Sequence, residues 1–190
     1  MKLHIFNPGH DIALAANDEK MTAPHAVRQM QMDLGFIPAL WADNSDYILV
    51  DDTNNTIPNN GYKRYLHNHK YIDWNDLQNI NKEKLEVSPW GWDKTIRYKL
   101  SVASEGMLDS CMPDTIQLDK IREISGRNWA SQNLLSKLLD CDNTCIGKST
   151  ALDDYEKLMD VLDKSDNGLA YQYVLKAPWS SSGRGLRYVD

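Results

Sequence analysis

The chain has 190 residues, with 21 Lys and Arg against 27 Asp and Glu, a formal net charge of −6. That balance argues against general nucleic-acid binding, which needs a basic field to neutralise phosphates, but it leaves room for a local basic site. No apolar stretch approaches the roughly 20 residues that span a bilayer, and the first residues carry no apolar signal segment, so a cytoplasmic protein of one or two domains is expected.

Lys2 to Phe6 reads as a first strand, Asn7-Pro8-Gly9 as a turn, and His10 to Ala16 as the start of a helix with Asp11 near its positive end. Thr22 is the expected N-cap of a helix through Met32, with Pro24 in its first turn and Gly35 ending it. Phe36–Trp41 and Tyr47–Val50 are two further strand candidates, joined by the polar turn Asp43–Asp46. Strand, helix, strand, turn and strand begin an α/β layer. Residues 51 to 70, rich in Asp, Asn, Pro and Gly, read as an irregular surface excursion. Leu85–Ser88 is the next strand, and Asp93 caps a helix running to about Ser104. A helix over Leu118–Ile124 leads to Gly126, a hinge into a second unit. That unit holds an apolar helical face at Asn133–Leu139, a short strand at Cys145–Ser149, a helix after Asp153 with Glu156 in a capping box, and a strand Leu169–Lys176. The domain division expected is therefore 1–115, a connecting helix 116–125, and 126–190.

Two loops stand where strands of the layer deliver their ends, the place at which ligands of open α/β sheets gather. In Asn7-Pro8-Gly9-His10-Asp11, residues Asn7, Gly9, His10 and Asp11 are candidates for holding a substrate anion or carboxylate. A tight turn with His10 and Asp11 capping the helix reads equally well. In Ser88-Pro-Trp-Gly-Trp-Asp93, Trp90 and Trp92 either wall an apolar pocket or seal the end of the sheet, and sealing is the better reading. Gly147-Lys148-Ser149-Thr150 looks like the tail of a phosphate-binding P-loop, but Asp142 stands where a glycine is needed and the strand–loop–helix order is wrong. His67 and His69 lack a third ligand and read as solvated. Cys111, Cys141 and Cys145 have no metal spacing and read as packing residues in a reducing compartment.

The C-terminal run Tyr171-Gln-Tyr-Val-Leu-Lys176-Ala-Pro-Trp-Ser180-Ser-Ser-Gly183-Arg184-Gly185-Leu-Arg187 carries the sharpest signal. A β-forming segment ends on Lys176 and breaks at Pro178 into a loop of Ser180, Ser181, Ser182, Gly183, Arg184 and Gly185. Backbone N–H groups, hydroxyls and cations converging there suit a polyphosphate, Arg184 being a bidentate match for one. An ordinary hairpin turn with a polar tip is the competing reading.

Tyr173-Val-Leu-Lys176-Ala-Pro-Trp-Ser-Ser-Ser-Gly183-Arg184-Gly185 resembles the lysine strand and glycine-rich loop of ATP-grasp enzymes. The resemblance implies a Rossmann-like N-terminal domain followed by a partial ATP-grasp small subdomain. It also implies ATP and Mg²⁺ as cofactors of the complete enzyme, not bound tightly by this chain, with Lys176 on the phosphates or the adenine edge and Ser180–Gly183 with Gly185 covering the phosphates. The activity implied is carboxylate–amine or carboxylate–thiol ligation through an acyl phosphate. Because the family's Mg²⁺-binding half would lie beyond Asp190, the chain reads as the N-terminal portion of such a ligase, inactive alone. Its expected partners are a small carboxylate substrate and, through the edge strand Leu169–Leu175, a second copy of itself. A non-catalytic small-molecule-binding α/β module built on the Asn7–Asp11 and Ser88–Asp93 loops, or a purely structural domain, remain as alternatives.

Overall fold

The computed structural model describes residues 1–54, 66, 69–141, 144, 148–163, 173–180 and 185–189. The chain divides into two compact units, Met1–Asp119 and Lys120–Asp190.

The first unit is mixed α/β. Strands β1 (Lys2–Ile5), β2 (Tyr47–Leu49), β3 (Lys70–Ile72) and β4 (Glu86–Pro89) form a four-stranded sheet in the order β3-β2-β1-β4. Every pair in it is parallel, with Leu3 opposite Tyr47 and Val87. This topology is compatible with a Rossmann-like α/β fold. Helices α1 (His10–Ala16), α2 (His25–Leu34), α3 (Lys94–Ala103) and α4 (Thr115–Ser125) complete the layer, and the division between the units falls inside α4.

Alternation along the strands sorts the side chains into two cores. Leu3, Ile5, Leu49, Ile72 and Val87 join Leu77, Ile96, Leu100 and Leu108 in the larger one. Ile48 of β2 and Val50 just past its end pack with Ala39 and Leu66 in the smaller. Helix α3 enters the larger core through Ile96 and Leu100, one turn apart on one face. Asp93 starts it by accepting from the Ile96 N–H at 2.8 Å, the cap that the sequence predicts.

Several elements differ from expectation. Phe36–Trp41 is not a strand: Ile37–Leu40 forms a 3-10 turn, with Ala39 N–H donating to the Phe36 carbonyl at 2.9 Å. Pro38 has no N–H for a sheet ladder, and its fixed φ suits a helical turn. Pro24, not Thr22, occupies the N-cap of α2, its carbonyl accepting from Val27 and Arg28. Strand β3 lies at the end of the stretch read as irregular, a three-residue edge too short to show alternation.

In the second unit, α5 (Arg127–Asn133) and α6 (Leu135–Cys141) are separated by a break at Leu134, inside the helical face expected over Asn133–Leu139. Helix α7 covers Tyr155–Asp163. Its first free amides are met by Asp154, which accepts from Glu156 and Lys157, while Asp153 pairs instead with the Lys157 ammonium at 2.9 Å. Strands β5 (Tyr173–Lys176) and β6 (Leu186–Val189) form an antiparallel hairpin, Lys176 opposite Leu186. The strand expected at Cys145–Ser149 lies partly outside the described residues, and Lys148 and Ser149 are in irregular backbone.

Candidate functional site

In the first unit, β1 and β4 are neighbours at the point where the strand order reverses, so the loops after them flank the sheet's switch point. The two loops are tied together. Asn7 donates from Nδ2 to the Gly91 carbonyl at 2.8 Å and to Asp93 Oδ2 at 3.3 Å, and its Oδ1 accepts from the Gly91 N–H at 3.3 Å. His10 Nδ1 lies 3.1 Å from Asp93 Oδ2. Because an ionised carboxylate only accepts, Nδ1 carries the hydrogen, and Nε2 is left as the imidazole's second polar atom. A Cβ at Gly91 would collide with the His10 ring, so glycine there is a steric requirement.

The sequence candidates divide on this geometry. Asn7, 7 % exposed, spends its whole amide on Gly91 and Asp93, whereas the His10 side chain keeps 18 % of its surface open. The His10 N–H donates to the Asn7 carbonyl at 3.1 Å, and Gly9 is the N-cap, where a Cβ would press on Val27 at 3.2 Å. Asp11 sits in the first turn of α1 beside the cluster. Trp92 packs against the larger core, while Trp90 is 61 % exposed and meets Phe6 edge-on at 5.7 Å. Asp93, legible in sequence only as a helix cap, is also the partner that orients His10.

In the second unit the hairpin holds the other candidates. Lys176 ends β5, is exposed, and makes no ion pair among the described residues. The Ala177 N–H donates to the Gly185 carbonyl at 2.9 Å, closing the neck of the loop. Gly185 has φ +73°, and a Cβ there would come within 2.9 Å of the Ala177 Cβ, so only glycine fits. Arg127 grips the turn: Nη1 donates to the Ala177 carbonyl at 2.6 Å and to Ser180 Oγ at 2.9 Å, and Nη2 to the Ser180 carbonyl at 2.6 Å. Trp179 donates from its indole to the Arg122 carbonyl at 3.0 Å, and the Arg122 guanidinium lies 3.8 Å from the ring centroid. Ser181, Ser182, Gly183 and Arg184 lie outside the described residues. Arg127 was missed in the sequence. The available signal was a cation in the first turn of a helix, where the dipole disfavours it and a tertiary partner must compensate.

Among the described residues no group of three or more His, Cys, Asp or Glu side chains could hold a metal ion. His67 lies outside them, and His69 buries an unpartnered Nδ1. Cys111 packs beside the larger core, whereas Cys141 is exposed rather than packed. No helix among the described residues is long and apolar enough to cross a membrane. Compared with known proteins, the chain matches no family model, and no curated protein or solved structure is detectably similar to it.

Proposed function

We propose that this chain serves an ATP- and Mg²⁺-dependent carboxylate–amine or carboxylate–thiol ligation of ATP-grasp type, with a Rossmann-like N-terminal domain followed by a unit of ATP-grasp small-subdomain type. The observation that supports this reading is the neck of the hairpin: an exposed Lys176 leads into a Ser/Gly loop closed by Ala177 and Gly185 and held by Arg127. Lys176 supplies a point charge for phosphate oxygens. Since Arg127 donates to Ser180 Oγ, the serine's own hydrogen is left for another acceptor, such as a phosphate oxygen. The guanidinium adds a fixed positive charge a hydrogen bond away from the same turn. Such a site works by positioning and charge stabilisation rather than by a general base. The substrate carboxylate is assigned to the Asn7–Asp11 loop, where Asp93 holds the His10 ring through Nδ1 and Nε2 donates to the carboxylate only in the imidazolium form. No described residue is assigned to Mg²⁺.

Calorimetric titration with Mg·ATP tests the reading. Weak but saturable binding is expected, with Lys176→Ala weakening it further by about tenfold, or ~1.4 kcal/mol. Absence of saturable heat, or an unchanged constant for Lys176→Ala, refutes it.

A further inference from the structure

The two faces of the parallel sheet are filled differently. On one face every strand contributes an apolar residue to the larger core. On the other, the register sets Ile48, His4 and Ser88 side by side across β2, β1 and β4. Ile48 is covered by Ala39 and Leu66, but beyond it the face turns polar and opens into a cleft of about 280 Å³ lined by His4, Pro38, Trp41, Ser88, Pro89 and Trp90. That volume is close to the lower end of the about 300–1,000 Å³ typical of small-molecule sites. Trp41 and Trp90, 52 % and 61 % exposed, stand at 6.3 Å with their planes tilted by 52°. Two indoles that keep more than half of their surface in water beside an open cleft leave apolar area exposed there.

The polar side of the cleft is fixed from behind. His4 Nε2 lies 3.2 Å from Asp46 Oδ2 in a pair whose side chains are 9 % and 5 % exposed. The Asp46 carboxylate also accepts from the Lys2 N–H at 2.6 Å and from the Asp43 N–H at 3.2 Å. A carboxylate so placed only accepts, so Nε2 is the donor and the second ring nitrogen, Nδ1, is the acceptor. Nδ1 makes no hydrogen bond among the described residues and is not a fully buried atom, so it stands as an accessible acceptor for one O–H or N–H donor.

We propose that this cleft binds a small aromatic or heteroaromatic molecule carrying a hydroxyl or N–H donor, its ring against Trp41 and Trp90 and its donor directed to His4 or Ser88. The site belongs to the first unit alone and stands independently of nucleotide binding at the hairpin. Stacking on the indoles supplies affinity, and the donor selects among rings, because a ligand that displaces water from the His4 acceptor without donating to it leaves that acceptor unmet.

The test uses the full chain without nucleotide, titrated with p-cresol and indole, and with toluene as the isostere of p-cresol that lacks the donor. Binding is followed by tryptophan fluorescence and by the His4 imidazole ¹⁵N resonances. Saturable binding of p-cresol and indole is expected, toluene about tenfold weaker, and a shift of the His4 ring nitrogens only with the two donors. Trp41→Ala removes a half-exposed ring with little effect on folding and should weaken p-cresol about tenfold. Equal affinity for p-cresol and toluene, no saturable binding of either donor, or an unchanged constant in Trp41→Ala overturns the proposal.

Discussion

Every buried hydrophobic side chain of the core among the described residues belongs to the first unit, from Leu3 to Leu118; the second unit, Lys120–Asp190, contributes none. Its helices leave Leu138, Tyr155 and Met159 exposed, as does the break at Leu134, and its hairpin leaves Val174 and Tyr188 exposed. Yet the turn at residues 177–180 is held by four hydrogen bonds from Arg127, its backbone N–H to the Pro178 carbonyl and three from the guanidinium, together with the Trp179–Arg122 stack. The same chain thus builds order in two ways. Burial is cooperative and sets the stability of a whole unit, whereas side chain-to-backbone hydrogen bonds hold one turn and leave its surroundings to open separately.

The largest effect that tests this contrast is a pair of truncations. Leu100→Ala, in the larger core, should cost about 2–5 kcal/mol in urea unfolding, while Leu138→Ala, 47 % exposed, should stay within about 0.5 kcal/mol. A large loss for Leu138→Ala would mean that α6 is buried in solution and would break the comparison. Arg127→Ala should come next, lowering the local stability of the hairpin neck by roughly 1–3 kcal/mol, read from exchange of the Ala177 amide. Arg127→Lys should fail to restore it, because one ammonium cannot reproduce the planar fork. Unchanged exchange at Leu3 and Ile5 would sharpen the contrast, and a matching loss there would dissolve it.

Acid should act on the first unit through Asp46. Burial raises its pKa, but the Lys2 amide, the His4 hydrogen bond and the Asp43 amide together outweigh burial and hold the carboxyl below its ordinary value. A depressed carboxyl stabilises the fold above its unfolded pKa of about 3.9, and that stability disappears as pH falls through the folded value. Asp46→Asn should therefore be less stable at neutral pH and show a flatter acid limb in pH-dependent unfolding. An acid limb identical to wild type would remove Asp46 from the account. The smallest effect belongs to Lys148→Ala: the residue is exposed in irregular backbone, and nucleotide affinity should not change within error. A tenfold loss would restore the P-loop tail.

Where the first unit was legible, a periodic or capping signal carried the reading: β1, β2 and β4, and α3 with Asp93 before it. The Phe36–Trp41 run misleads because its apolar residues suit a strand, while Pro38 removes the donor that a strand needs. The pairs that shape the cavities have no such signal. His4 and Asp46 are 42 residues apart, and Asn7 and Asp93 are 86 apart, so only the sheet register brings them together. In the second unit Lys176 and Gly185 could be singled out from the break in the strand, but Arg127 lies about 50 residues upstream and announces itself only by standing at the wrong end of a helix.

The central claim, that the hairpin neck rather than the switch-point cluster meets the phosphates of a nucleotide, is tested most directly by residue-resolved amide shifts during titration with Mg·ATP. The account predicts saturable movement of Ala177, Ser180 and Gly185, abolished in Lys176→Ala, with Asn7 and Gly91 still. Movement confined to Asn7, His10 and Gly91, or persisting at the hairpin in Lys176→Ala, would contradict it.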